Sequence, residues 1–161
     1  MRNLVTSQQP LIEKIYLLQD KFGETFINAA TDVTGYGFIG HLKEIIDSSN
    51  LLRKNNNLEP IRVLLDLSAF KAYPGVFDLI HKGVKSSLFE SNKEIFDQIL
   101  LEKTENRIIS FLNNEVNSAS FKEKISLLID PQTCGPLLIS CDPKFESFLK
   151  DGWYKVGKVI N

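Results

Sequence analysis

The spacing of hydrophobic residues predicts that this chain begins with a helix, a strand and a second helix. Apolar residues recur at helical spacing between Pro10 and Gly23, which predicts a first helix that ends at the glycine. Residues 25–30 are predicted to form a strand that leads into a glycine-rich turn. The next helix is expected to end near residues 47–50, before a polar surface loop at 53–57. Its apolar face is marked by Phe38, Leu42, Ile45 and Ile46.

The middle of the chain predicts a second strand followed by shorter helices. Residues 61–67 are the clearest strand, and Pro74 with Gly75 precedes a short helix through Ile80. Two further helices are expected between residues 84 and 124. The first is marked by Ile95, Ile99 and Leu100, and the second by Ile108, Ile109 and Leu112.

The C-terminal part shows apolar runs at 125–129 and 137–140, separated by a turn at 130–136. A helix is predicted at 143–149, with Phe145, Phe148 and Leu149 facing inward, and a last strand at 153–160. Strands that alternate with helices indicate an α/β or α+β layered fold.

Composition narrows the class of protein. A chain of 161 residues with 43% hydrophobic and 24% charged residues fits one ordinary globular domain. The net charge of -1 argues against a nucleic-acid partner, and no apolar run approaches the roughly 20 residues that a membrane span needs. The N-terminus lacks the apolar core of a secretory signal, so a cytoplasmic protein is expected. Cys134 and Cys141 form no zinc or redox pattern and are expected to be buried thiols.

Candidate chemistry is concentrated in one stretch, which runs TDVTGYGFIGHL from Thr31 to Leu42. Backbone N–H groups at a helix start carry partial positive charge and suit a phosphate. Asp32, just before the turn, offers oxygen ligands to a hard cation such as Mg²⁺. The alternative role for Asp32 is to cap the turn through its own backbone.

Gly35, Gly37 and Gly40 also match the dinucleotide-binding pattern G-x-G-x-x-G. That pattern also requires an acidic residue about 20 positions further on. The nearest candidate, Asp66, comes later than this. Turn geometry and close helix packing are the alternative role of the glycines.

Residues 31–42 resemble a signature of the selenophosphate synthetases (selenide, water dikinases). The segment DPQTCGPLLI at 130–139 is similar to a second signature of that family, and YPGVFDL at 73–79 to a helix start between them. The three matches keep the family's order, and the resemblance covers residues from about 9 to 160.

The resemblance implies the C-terminal domain shared with aminoimidazole ribonucleotide synthetase, which is a mixed sheet covered by helices. It also implies a part in making selenophosphate from selenide and ATP with Mg²⁺. Asp32 maps onto the family's metal ligand. The candidate nucleotide-contacting residues are Thr31, Thr34, Gly35 and Gly37.

The chain also departs from the family. The family's N-terminal domain, with its reactive cysteine and lysine, is expected to be missing, because only nine residues precede Pro10. Cys134 and Pro136 replace a serine and a glycine of the second signature, and residues 85–90 replace a stretch with glycine and arginine. We therefore expect an enzyme part that is inactive alone, or else a binding or scaffold module with the same fold. Family members pair as dimers, largely through the missing domain.

Overall fold

The structure is a computed structural model that describes residues 6–23, 26–103, 106–112, 118–150 and 152–161. Helices and strands are interleaved along this part of the chain. In order they are α1 (Gln9–Phe22), β1 (Ile27–Asp32), α2 (Gly37–Asn55), β2 (Arg62–Leu65), α3 (Val76–His81), α4 (Phe89–Leu101), β3 (Ile109–Phe111), α5 (Ala119–Ile129), β4 (Leu137–Cys141) and β5 (Gly157–Ile160). Two 3₁₀ helices, Leu67–Ala69 and Pro143–Phe148, follow β2 and β4.

The described strands form two sheets. In the first, β1 pairs with β4 in antiparallel register, so that Thr31 lies opposite Leu138 and Asp32 opposite Leu137. In the second, the strand order is β3-β2-β5, with β2 parallel to β3 and antiparallel to β5. The second sheet is therefore mixed. An α/β class, expected from the interleaved elements, is confirmed.

The main core lies between the mixed sheet and the helices α2, α4 and α5. Ile39, Leu65, Ile99 and Ile109 are each no more than 1% exposed. Aromatic rings extend the packing, since Phe111 meets Phe121 edge to face with centroids 5.2 Å apart. Burying each such side chain contributes about 1.5–3 kcal/mol of transfer free energy, so this cluster dominates the stability of the fold.

A second aromatic cluster attaches α1 to the rest of the molecule. The ring of Phe22 lies 5.0 Å from Phe145 and 4.6 Å from Phe148, between ring centroids. Phe26 also meets Phe145 edge to face at 5.0 Å and is fully buried. The 3₁₀ helix that carries Phe145 therefore holds the N-terminal helix through ring packing.

Most of the elements predicted from spacing are present, with shifted ends. Helix α1 ends before Gly23, and the elements β2, α3 and α4 occupy their predicted places. Strand β1 continues through Asp32, and Thr25 of its predicted start lies outside the described residues. Helix α2 runs to Asn55, so the predicted loop at 53–57 begins as helix.

Three of the predicted elements were wrong in type or extent. The expected helix around Ile109 is strand β3, because this three-residue segment pairs in parallel with β2 and buries Ile109 and Phe111. The expected helix at 143–149 is a 3₁₀ helix, in which Phe145 is buried but Phe148 is 38% exposed. The last strand covers only Gly157–Ile160.

Gly37 provides a test of the turn between β1 and α2. Its φ is +64°, and a Cβ atom there would lie 2.4 Å from the carbonyl oxygen of Ile129. We expect Gly37→Ala to lower the free energy of unfolding by about 2 kcal/mol or more, through backbone strain and this clash. Urea unfolding measures the loss.

Gly35→Ala is the matched control for this test. A Cβ at Gly35 would meet nothing within 4 Å, so its cost should stay within about 0.5 kcal/mol. Equal losses in the two variants would contradict the steric role assigned to Gly37.

Candidate functional site

The two signature segments, 31–42 and 130–139, come together in one place. They contain the last two residues of β1 and the first three residues of β4, which pair side by side. Beyond the strands, the Val33 N–H donates to the Pro136 carbonyl at 2.9 Å. The Gln132 N–H donates to the Thr34 carbonyl at 3.0 Å. The β1–α2 turn and the 130–136 loop are thus joined by backbone hydrogen bonds.

Gly135 allows this close approach. A Cβ on Gly135 would lie 1.8 Å from the carbonyl oxygen of Val33, so any side chain would push the two segments apart. The side-chain amide of Gln8 donates to the Gly135 carbonyl and brings the start of α1 to the same loop. Pro136, the neighbouring departure from the family motif, has no N–H to donate, but its carbonyl accepts from Val33.

The start of α2 is held against the end of α5 by a buried asparagine. Asn92 on α4 is 5% exposed, and its side-chain amide donates to the carbonyls of Gly35 at 2.9 Å and Ile129 at 3.0 Å. The Gly37 N–H donates back to the Thr34 carbonyl at 3.0 Å, which closes the turn. The position of the turn therefore depends on three helices.

Asp32 lies at the exposed end of β1. Residues alternate along this strand between half-buried and exposed, and Asp32 falls on the exposed side next to the fully buried Val33. Thr31 is half-buried, and its hydroxyl donates to the Asp32 carbonyl at 3.2 Å. Within the described ranges, the Asp32 carboxylate has no hydrogen bond or ion pair.

Two other aspartates of this protein, in contrast, cap the starts of 3₁₀ helices. Asp66 accepts from the Ser68 hydroxyl and N–H at the start of its 3₁₀ helix, and these hydrogen bonds lower the pKa of its carboxyl group. Asp142 accepts from the Lys144 N–H, which likewise lowers its pKa. Asp32 makes no comparable bond to the turn that follows it, so its carboxylate is left available to a ligand.

His41 lies in the first turns of α2 and is 8% exposed. Its Nε2 atom is 3.1 Å from the Thr34 hydroxyl, and its Nδ1 atom is 3.0 Å from the carboxylate of Glu44. The ring also packs against Tyr36, with centroids 5.5 Å apart. The sequence analysis did not single out Glu44, although a separation of three residues on a helix places it beside His41.

The remaining motif residues have local roles. The Asp130 carboxylate accepts from the Ser86 N–H at 3.3 Å, and the Gln132 amide donates to the Asp130 carbonyl at 3.2 Å. The prediction of two buried thiols was wrong for Cys134, which is exposed. Cys141 is half-buried, and burial raises the pKa of its thiol.

The donor set at this site suits one side of a hard cation. Carboxylate and hydroxyl oxygens from Asp32 and Thr34 are the ligand type that Mg²⁺ prefers. Among the described residues, no group of three or more His, Cys, Asp or Glu side chains is arranged to hold a metal. The residues present therefore fit a metal shared with phosphate oxygens or with another protein surface.

None of the helices in the described part of the chain is both long enough and apolar enough to cross a bilayer.

Comparison with known proteins identifies several selenide, water dikinases as relatives. Selenide, water dikinase of Photobacterium profundum is 32% identical over 121 residues, which is 75% of this chain and 27% of that protein. The enzyme of the same name from Methanococcus maripaludis is 25% identical over 130 residues, covering 78% and 39%. That of Escherichia coli K12 is 26% identical over 152 residues, covering 91% and 36%.

This chain is a relative of the selenophosphate synthetases. The relation agrees with the resemblance of the two signature segments, which the structure brings into contact. The chain spans between about a quarter and two fifths of the length of these curated selenophosphate synthetases. No protein-family model matches it.

Asn92 provides a test of how the turn is held in this selenophosphate synthetase relative. We expect Asn92→Ala to lower the free energy of unfolding by about 2 kcal/mol, because two carbonyls lose their donor. Thermal or urea unfolding measures the change. The exposed Asn28 on β1 serves as the control, and Asn28→Ala should change stability by less than about 0.5 kcal/mol. A similar small effect for Asn92→Ala would show that the turn does not need this amide.

Proposed function

We propose that this chain is the C-terminal domain of a selenophosphate synthetase-like phosphotransferase and supplies one wall of a magnesium–ATP site. The complete site would transfer phosphate from ATP to selenide. Asp32 would be a ligand to Mg²⁺, and the turn containing Thr31, Thr34, Gly35 and Gly37 would face the phosphates. The remaining walls would come from sequence outside these 161 residues, in a longer polypeptide or in a second chain.

The position of Asp32 is the observation that carries this proposal. Its carboxylate is exposed at the junction of the two signature segments and, among the described residues, is not used to cap the turn. Mg²⁺ is usually bound by one or two carboxylates from a given protein surface together with substrate phosphates. When bound, Mg²⁺ would neutralise part of the phosphate charge. The role of this chain would be to orient the carboxylate through the rigid β1–β4 pair.

Two of the glycines at the site are needed by the fold, and a third is proposed to make room for a ligand. Gly37 and Gly135 are required by close contacts with the Ile129 and Val33 carbonyls. Gly35 has neither a close contact nor a positive φ. The missing side chain at Gly35 therefore supports the approach of a bound group to the backbone there. Pro136 offers no N–H, so phosphate contacts would fall to the β1–α2 turn and not to the 130–136 loop.

The dinucleotide-binding alternative has less support. A dinucleotide site of that kind needs a strand, a helix and a parallel neighbouring strand. Here β1 pairs with β4 in antiparallel register, and β2 lies in the other sheet. The binding or scaffold alternative is favoured by Cys134 and Pro136, which alter the loop facing the proposed site.

We expect the purified chain alone to show no selenide-dependent ATP hydrolysis, because a single carboxylate makes a poor magnesium site. Calorimetric titration should give at most weak binding of magnesium–ATP, with a dissociation constant of about 1 mM or more. Robust turnover, or micromolar binding that Asp32→Ala abolishes, would show that this chain forms a working magnesium–ATP site by itself.

A chimera tests the proposed activity directly. This chain would replace the matching segment of the Escherichia coli selenide, water dikinase, and ATP consumption would be measured with and without selenide. We expect selenide-dependent turnover that Asp32→Asn lowers at least about tenfold through loss of a metal ligand. Asp20→Asn changes an exposed aspartate on α1 and should have no effect. A folded chimera without turnover, or one that tolerates Asp32→Asn, would contradict the proposal.

A further inference from the structure

Thr34, His41 and Glu44 form a chain of hydrogen bonds that leads from the β1–α2 turn to the protein surface. The two distances are 3.1 Å from the Thr34 hydroxyl oxygen to Nε2 and 3.0 Å from Nδ1 to the Glu44 carboxylate. His41 is buried, whereas the Glu44 side chain is 60% exposed. A shallow groove with a volume of about 290 Å³ lies beside Glu44, lined also by Tyr36, Gly40 and Lys43.

The carboxylate determines the direction of both hydrogen bonds. An ionised carboxylate can only accept hydrogen bonds. The Nδ1 atom of His41 must therefore carry a proton and donate the hydrogen bond to Glu44. In a neutral imidazole the other nitrogen then has no proton and accepts. The Thr34 hydroxyl therefore donates its hydrogen to His41. Its oxygen keeps its lone pairs, which face away from the ring.

Thr34 also lies on the same side of the backbone as Asp32. Strand β1 ends at Asp32, and the Val33 N–H donates to the Pro136 carbonyl, which extends the β1–β4 hydrogen bonding by one residue. Side chains two apart on such a chain point to the same face. The exposures agree, since Asp32 is exposed, Val33 buried and Thr34 half-buried.

We propose that His41, oriented by Glu44, is a positioning residue. It would accept the hydrogen bond of the Thr34 hydroxyl, so that the hydroxyl oxygen can bind the same cation as Asp32. Thr34 would then donate an oxygen lone pair to Mg²⁺ and would not donate a hydrogen bond to phosphate. This inference rests on the proposed function for the identity of the cation. The hydrogen-bond directions depend only on the geometry of the three side chains.

The two histidines of the chain make the test internally controlled. His81 uses Nε2, and not Nδ1, to meet a glutamate, since Nε2 lies 2.6 Å from the Glu123 carboxylate. Nitrogen NMR of the ¹⁵N-labelled chain at pH 8 should show His41 protonated on Nδ1 and His81 on Nε2. Glu44→Ala should remove the preference at His41 and leave His81 unchanged. A proton on Nε2 of His41, in either the other neutral form or the doubly protonated ring, would overturn the inference.

The role of Thr34 as a cation ligand is tested with Mn²⁺ in place of Mg²⁺, because Mn²⁺ broadens nearby amide signals and so reveals weak binding. Thr34→Val should weaken Mn²⁺ binding about fivefold, the size expected for one lost polar contact, and Thr34→Ser should restore it. Amide dispersion in the same spectra shows whether each variant is folded.

The Mn²⁺ outcomes separate the two proposals. If Asp32→Asn abolishes the broadening but Thr34→Val leaves it unchanged, Thr34 is not a ligand and the inference fails while the proposed function stands. If Asp32→Asn also has no effect, both fail. Loss in Thr34→Val with rescue by Thr34→Ser supports both.

Discussion

The candidate site depends on the antiparallel contact between β1 and β4 and on its continuation past the strands. Hydrogen bonds from Val33 to Pro136 and from Gln132 to Thr34 carry the pairing into the two flanking loops. The contact is close because Gly135 has no side chain to hold the Val33 carbonyl away. These backbone hydrogen bonds position the end of β1, and Asp32 lies at that end.

Around this contact the helices have a supporting role. Asn92 ties the β1–α2 turn to the end of α5, and Gly37 lets α2 begin directly against the same helix. The buried amide is favourable here because both of its hydrogens reach carbonyls that would otherwise lie unpaired in the core. The hydrophobic core between α2, α4, α5 and the mixed sheet then holds these parts in one arrangement.

The Asp32 carboxylate differs from three other carboxylates of the chain in having no partner among the described residues. Asp66 and Asp142 use their carboxylates to stabilise short helices, and Glu44 is occupied with His41. The Asp32 carboxylate is in none of these arrangements. A single exposed carboxylate beside a helix start suits a cation that arrives together with phosphate, since the helix end attracts the anion and the carboxylate its metal. This complementarity is the physical basis of the proposed half-site.

The sequence by itself determined most of the elements and singled out the candidate residues of the site. Helical spacing identified α1, α2 and α4, and the motif at 31–42 singled out Asp32 and its turn, because both signals are local. Tertiary structure alone decided that Ile109 lies in a strand, since only a parallel partner in β2 makes so short a run extended. It also decided the pairing of the two signature segments and the hydrogen bond between Thr34 and His41. Those contacts join residues through three-dimensional packing, which no local periodicity encodes.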